Sequence, residues 1–220
     1  MTNVVAATPE RAILFVDGNN WFHGMKEAGV VDSAQLAYSK IAQKLVGAAR
    51  TWIGTRYYIG RVTSAWSPTL VADQRRFLAR YEAEDAARHS THYGRLEPRP
   101  VRSEAAHELL AYLASLKTKI DPQVFKDLHA IGSRHKSAVT QVEKAVDVML
   151  AVDLVVMAQR NEYETAYVLS ADGDYTHAAQ FVRSIGKKVF AASASPGGEL
   201  AKAVNTFIRL NKGWFADCYR

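Results

Sequence analysis

Residues 11–17, RAILFVD, form an apolar run that ends in an acid and is followed at once by Gly18, Asn19 and Asn20. So short a run reads as a buried strand, and the GNN that follows reads as a turn. A strand of this kind has to be covered by other elements, and the chain supplies them in alternation. SAQLAYSKIAQKLVGAAR (33–50) carries apolar residues at helical spacing behind Asp32 or Ser33 as a cap, and TWIGTRYYIG (51–60) is rich in aromatic and β-branched residues. SPTLVADQRRFLARYEAEDAARH (67–89) opens with a Ser-Pro helix start, and STHYGRLEP (90–98) reads as a third strand that Pro98 and Pro100 interrupt. Further on, QVEKAVDVMLAVDLVVMAQ (141–159) is apolar on nearly every side and predicts a buried helix. TAYVLSA (165–171) and KKVFAAS (187–193) predict strands, separated by a helix from Tyr175 that Gly186 closes, and GELAKAVNTFIRL (198–210) predicts a last helix and strand. Strands alternating with helices predict an α/β fold: a doubly wound, mainly parallel sheet flanked by helices.

At 220 residues the chain has the length of one domain with room for an insertion. Composition marks the place: residues 97–140 turn charged around one amphipathic stretch, SEAAHELLAYLASLK, and predict a helical insertion. No apolar run approaches the roughly 20 residues of a membrane span. The N-terminus lacks the basic start and apolar core of a signal peptide, so a cytoplasmic location without membrane attachment is expected. The lone Cys218 has no internal disulfide partner and reads as an ordinary thiol. The formal charge of +6 suits a polyanionic partner such as nucleic acid, although the basic residues are spread along the chain, with local groups at Arg95, Arg99 and Arg102 and at Lys117, Lys119, Arg134 and Lys136.

The acids are more specific than the net charge. In an open parallel sheet, sites lie outside the carboxyl ends of the strands where the strand order reverses. Asp17 ends one predicted strand, and Asp172 and Asp174 follow another in SADGD, so a parallel arrangement brings all three to one edge. Asp147 and Asp153 interrupt the apolar helix, and a buried carboxylate calls for a partner, hydrogen bonds or a metal. Six residues apart, they point roughly 120° apart around the helix. Asp147, nearer the helix start, is the expected site residue; Asp153 is left to support the site from behind or to pair with a Lys or Arg, and Ser170, ahead of the SADGD acids, is a second supporting group. Asp17, Asp147, Asp172 and Asp174 make an oxygen-rich set of the kind Mg²⁺ or Mn²⁺ prefers. Zinc fits poorly, because His89 and His92 have no cysteine pair beside them. Asp172 or Asp174 also suits a plain helix cap, and Asp147 a plain pair with Lys144.

Four segments in order, ILFVDGNNWFHG, YYIG, EKAVDVMLAVDL and YVLSADGDYTHAAQFVRSIGKKV, give the chain a resemblance to the NYN domain family, in its LabA-like branch of the PIN-like nucleases. The resemblance covers nearly the whole chain outside residues 97–140. It implies a PIN-like, Rossmann-like α/β/α fold and a divalent-metal ribonuclease or related nuclease, with Asp17, Asp147 and Asp172 at the acidic positions, Asp174 as a second acid of the later motif and Asn20 as an accompanying polar residue. It implies products with a 5′-phosphate and a 3′-hydroxyl. Where the family often has an acid before FI, this chain has Asn205.

The mechanism these readings predict is in-line hydrolysis of a phosphodiester at a metal-bearing Asp cluster, with Lys144 and Asn20 contacting the substrate and no nucleophilic Ser, Cys or His. The expected partner is single-stranded or structured RNA, with Tyr57, Tyr58, Trp66 or Tyr175 available to stack on bases. A competing reading keeps the fold and the acids in a regulatory, nucleic-acid-binding protein that cleaves weakly or not at all and works as a homo-oligomer. A small-molecule phosphatase or phosphotransferase ranks third: the first strand ends Asp17-Gly18-Asn19 rather than Asp-x-Asp, and neither GxGxxG nor GxxxxGK[ST] occurs.

Overall fold

The computed structural model describes residues 8–63 and 67–220, including all their side chains except those of 100–102 and 137–139. Two compact units emerge: residues up to Arg95 together with Lys144–Arg220, and Leu96–Glu143. Seven strands lie in the order β4-β3-β2-β1-β5-β6-β7, where β1 is Glu10–Asp17, β2 Arg50–Arg61, β3 His89–Arg102, β4 Ser137–Lys144, β5 Thr165–Leu169, β6 Lys188–Ser193 and β7 Thr206–Arg209. The pairings β1–β2, β1–β5, β2–β3, β5–β6 and β6–β7 are all parallel, as expected of a doubly wound α/β fold.

The unbroken apolar run of β1 is explained by its position between β2 and β5. Ala12, Leu14 and Val16 enter one core with α1 (Gly18–Glu27), α2 (Tyr38–Val46) and α3 (Pro68–Glu84), while Ile13 and Phe15 enter a second with α6 (Val146–Gln159), α7 (Thr176–Ser184) and α8 (Gly198–Ala203). Leu14 and Phe15 are fully buried, and each such side chain contributes about 1.5–3 kcal/mol of transfer free energy. The chain travels from β1 towards β2 and β3 on one side and from β5 towards β6 and β7 on the other. Right-handed crossovers in opposite directions put the two helix sets on opposite faces. The strand order therefore reverses between β1 and β5, the strands that end at Asp17 and Leu169.

Several local expectations are corrected. GNN is not a turn but the first helical residues of α1, and Asp17 is its cap, accepting from the Asn20 backbone N–H at 3.1 Å. The predicted helix over 141–159 begins only at Val146; residues up to Lys144 belong to β4, and Ala145 separates the two with φ 72°. Nor is α6 buried on every side, since Val148 and Val152 are 65% and 50% exposed. Its buried residues are Val146, Leu150, Leu154 and Ala158, spaced four apart, with Met149, Ala151, Val155 and Met157 packed partly buried beside them. Neither Asp32 nor Ser33 caps α2; Glu84, distant in sequence, accepts from the Tyr38 and Ser39 N–H groups at 3.2 and 2.6 Å. Strand β3 runs on through Pro98 and Pro100 because its pairing with β2 ends at Arg95, so the missing N–H groups fall outside that ladder.

Within Leu96–Glu143, α4 (Glu104–Leu116) starts on the Ser103 hydroxyl and α5 (Pro122–Lys136) on the Asp121 carboxylate. The two helices approach where Gly132 has no Cβ to strike Leu110.

Candidate active site

The cap that starts α1 is also the most buried acid of the molecule. Asp17 is 3% exposed. Its Oδ1 takes the Asn20 N–H, and its Oδ2 accepts from the Ser170 hydroxyl at 3.1 Å and from the Tyr175 hydroxyl at 3.0 Å. Ser170 continues the connection, because its Oγ accepts the Asp172 N–H at 3.0 Å. Asn20 braces the same junction from the other side, its Oδ1 accepting the Ala171 N–H at 2.9 Å. Two loops far apart in sequence, one after β1 and one after β5, are thereby tied together at the point of strand reversal, where a doubly wound sheet places its ligands.

Asp147 joins from the first turn of α6. The Tyr175 hydroxyl lies 3.0 Å from Asp147 Oδ1 as well as 3.0 Å from Asp17 Oδ2. A phenol carries one proton, so it can donate fully to only one of two ionised carboxylates. Burial pushes the Asp17 carboxyl above the usual range, opposed by hydrogen bonds from Asn20, Tyr175 and Ser170 and assisted by the charge of Asp147. Asp147 is also raised, first by partial burial and then by Asp172 and Asp174, against the Tyr175 hydrogen bond. Tyr175 itself is raised by burial and by the two carboxylates.

Asp172 does serve as a cap, its Oδ1 accepting from the Asp174 N–H at 3.0 Å to start a 3₁₀ turn over Gly173–Tyr175. Its other carboxylate oxygen accepts no hydrogen bond from a described residue, and Asp174 stands exposed beside it. Asp153 behaves differently. Its Oδ2 accepts from Arg56 at 2.7 Å and from the Tyr58 hydroxyl at 2.7 Å, rather than touching Asp17, Asp147 or Asp172. Burial alone would raise it, but these hydrogen bonds and the Arg56 charge leave it below the ordinary range. One helix thus carries an acid neutralised by a guanidinium and an acid left among other acids.

No Lys or Arg among the described residues forms an ion pair with Asp17, Asp147, Asp172 or Asp174. Lys144 is exposed at the end of β4, three residues before Asp147, and does not pair with it. Four carboxylates without a cation fit a hard divalent ion, which takes oxygen donors and supplies the missing positive charge. Among the described residues no three His, Cys, Asp or Glu side chains stand at the spacing of a metal site. The fit lies in the chemistry of the donors, with the Tyr175 hydroxyl holding two of them.

Sequence reasoning missed the hydroxyl of Tyr175, read there as the start of a helix or a stacking ring. Its position directly after two acids was the available signal. Tyr57, Tyr58 and Tyr175 are all buried and are not free to stack on bases, and Trp66 lies outside the described residues. Asn205 is no ligand position either: its Oδ1 accepts the Val189 N–H at 2.8 Å, near the start of β6 and away from the carboxyl edge. His89 and His92 are strand residues, one stacked on Tyr81 and the other on Tyr58, and Cys218 is buried. No helix among the described residues is long and apolar enough to cross a membrane.

The model of the NYN domain matches residues 11–211. A crystal structure of a protein of unknown function from Vibrio parahaemolyticus is similar in fold, with a TM-score of 0.56 at 12% identity over 94% of this chain and 96% of that one. The comparison with curated proteins gives no match.

Proposed function

Because the chain belongs to the NYN domain family, within the PIN-like nuclease superfamily, we propose that it is a divalent-metal-dependent ribonuclease of the LabA-like branch that hydrolyses phosphodiester bonds at its Asp cluster. The observation that carries the reading is the gathering of Asp17, Asp147, Asp172 and Asp174 from three chain segments without a cationic partner, two of them 3.0 Å from one hydroxyl. Asp17, Asp147 and Asp172 would hold Mg²⁺ or Mn²⁺, with Asp174 at the rim. Such an ion, when bound, supplies positive charge to the phosphoryl oxygens and lowers the pKa of attacking water.

The chain's own residues do the positioning. Asp17 is fixed by Asn20, Ser170 and Tyr175, so its carboxylate does not have to be ordered when substrate arrives. Ser170 couples the Asp17 carboxylate to the backbone of Asp172, and Asn20 keeps the loop after β5 against the start of α1. Lys144, exposed beside the start of α6, is free to contact a phosphate oxygen, as a point charge that reads backbone and not sequence. RNA is the expected polymer and the cytoplasm the expected location.

The test is cleavage of end-labelled single-stranded RNA and DNA with Mg²⁺, Mn²⁺ or EDTA, comparing the native chain with Asp17→Asn and Asp172→Asn. We expect metal-dependent cutting of RNA that both substitutions reduce by at least about two orders of magnitude. Cutting that survives EDTA, or that survives both substitutions in folded protein, refutes the assignment. Binding without cutting favours a regulatory protein that retains the acids.

A further inference from the structure

At the carboxyl edge that carries Asp17, β2 ends in an aromatic-cationic pair that the acid cluster does not use. The Arg61 guanidinium carbon lies 4.2 Å from the centre of the Tyr93 ring. Both residues are exposed, Tyr93 at 38%. Arg50, Arg56, Arg88 and Arg220 each hold a carboxylate, whereas Arg61 pairs with none among the described residues. The backbone at Arg61 is clamped on both sides by a single side chain: Gln74 of α3 accepts the Val62 N–H at 3.0 Å and donates to the Gly60 carbonyl at 2.8 Å. An unpaired guanidinium on an exposed ring, held on a fixed strand end, differs from a loose surface arginine.

Register places the pair relative to the acids. Tyr58 is the β2 partner of Asp17, and Tyr93 of β3 lies opposite Ile59, one residue beyond that level. With about 4.8 Å between strands and about 3.3 Å per residue along them, the Tyr93 backbone is two strands across from Asp17, on the order of 10 Å away. Alternation along β2 turns Tyr58 towards the α6 core that Asp17 adjoins and Ile59 and Arg61 towards the α3 side, so a polymer that meets both the acids and this pair passes over the strand ends from one face of the sheet to the other. The net charge agrees with such a course: Leu96–Glu143 carries seven Lys and Arg against six Asp and Glu, so most of the +6 excess lies on the unit with the acids and Arg61.

We infer that Arg61 and Tyr93 form a stacking and phosphate-holding platform for an unpaired nucleotide of single-stranded nucleic acid that passes over the strand ends from the Asp cluster; the inference rests on the nuclease reading and names the strand state of its substrate. A duplex buries its bases in the stack and offers no free face to Tyr93, while an unpaired base can lie on ring or guanidinium with its neighbouring phosphate against Arg61.

The experiment measures anisotropy of fluorescein-labelled oligouridylate, an abasic oligomer of equal length and an RNA duplex, in EDTA, so that binding is read without cleavage. Tyr93→Ala is expected to weaken oligouridylate binding about tenfold and to leave abasic and duplex binding within about twofold, with Tyr93→Phe restoring native affinity. Arg61→Ala is expected to weaken both single-stranded ligands and to lower the salt slope by about one. Thermal denaturation of each variant checks folding. If the native chain binds and cuts RNA while Tyr93→Ala binds oligouridylate as tightly as native, or loses abasic and oligouridylate binding equally, the platform is refuted and the nuclease reading stands. If the native chain neither binds nor cuts, both fall.

Discussion

Replacing Asp17 by Asn should stabilise the protein in the absence of divalent metal, although it removes the most buried acid of the site. Asp17 Oδ2 and Asp147 Oδ1 each lie 3.0 Å from the one Tyr175 hydroxyl, so with both acids ionised one contact sets oxygen lone pairs against each other. Asparagine removes the charge and the lone-pair contact: its amide donates to the Tyr175 and Ser170 oxygens, the phenol proton goes to Asp147 and its own Oδ1 still accepts the Asn20 N–H, at the cost of the Ser170 proton, which loses the acceptor Asp17 gave it. Removing a buried charge and its lone-pair contact, less the Ser170 proton left without its acceptor, is worth about 1 kcal/mol. For a chain of this size that is a Tm rise of about 2–4 °C.

The pH dependence gives the prediction its signature. The folded-state pKa of Asp17 is raised, by burial above all, so the folded protein keeps a proton that the unfolded chain has lost. Wild-type stability therefore falls as pH rises from the unfolded value, about 3.9, to the folded one, and asparagine contributes no such loss. The Tm gap between Asp17→Asn and native should be near zero at the acid end, widen through this window and then level off. Calorimetric scans in EDTA across the acid range measure it. Adding Mn²⁺ at about 100 times its Kd should reverse the order, because native protein alone gains about 2.7 kcal/mol from binding. An asparagine variant less stable than native in EDTA at every pH refutes the claim that Asp17 is held at the expense of stability.

Tyr175→Phe removes the hydroxyl shared by Asp17 and Asp147 and should lower stability by about 1–2 kcal/mol, with a loss of Mn²⁺ affinity seen by calorimetry. Asp153→Asn should leave cleavage unchanged yet flatten the acid limb of the stability curve, because a depressed acid contributes stability above its unfolded pKa and loses it as pH falls through the folded one; pH-dependent denaturant melts decide it. Glu84→Ala strips two N–H groups of α2 of their acceptor and should cost about 1–2 kcal/mol by urea denaturation. In Gly94→Ala the new Cβ would lie 2.5 Å from Val146 Cγ2 and 2.6 Å from the Lys144 carbonyl. It should destabilise by about 1–3 kcal/mol and reduce cleavage, since the start of α6 that carries Asp147 has to move.

Much of the sheet was legible because buried parallel strands leave short apolar runs bounded by turns and acids, as at 11–17 and 165–171. The acids at the ends of those runs were legible for the same reason: parallel strands deliver their carboxyl ends to one edge. The start of α1 was hidden because Gly18, Asn19 and Asn20 are turn residues by local preference, and only the Asp17 carboxylate, answering the Asn20 N–H, makes them helical. The cap of α2 was invisible because Glu84 comes from the far end of α3. The exposed face of α6 misled for the opposite reason: Val148 and Val152 carry the apolar signal without being covered. Tyr175 could be placed on a helix boundary from sequence, but its bridge between Asp17 and Asp147 depends on two other segments arriving at the same point.

Three departures from local preference meet at the acid cluster. Ala145 holds φ 72° without a side-chain cap for α6, a conformation that costs a non-glycine residue about 1–2 kcal/mol. It stands two residues before Asp147. Asp17 is buried without a cation, and Tyr175 has one proton for two acceptors. Elsewhere the chain follows the opposite habit with the same residue types: Asp153 has Arg56, Glu164 has Arg11, and Glu10 has Arg50 and Lys188. Among the described residues Asp17 is the buried acid without a cation, and it stands beside Asp147, Asp172 and Asp174 at the strand reversal, where a cation would relieve the charge they share. That asymmetry separates the cluster from a chance grouping of caps more sharply than the presence of any one carboxylate.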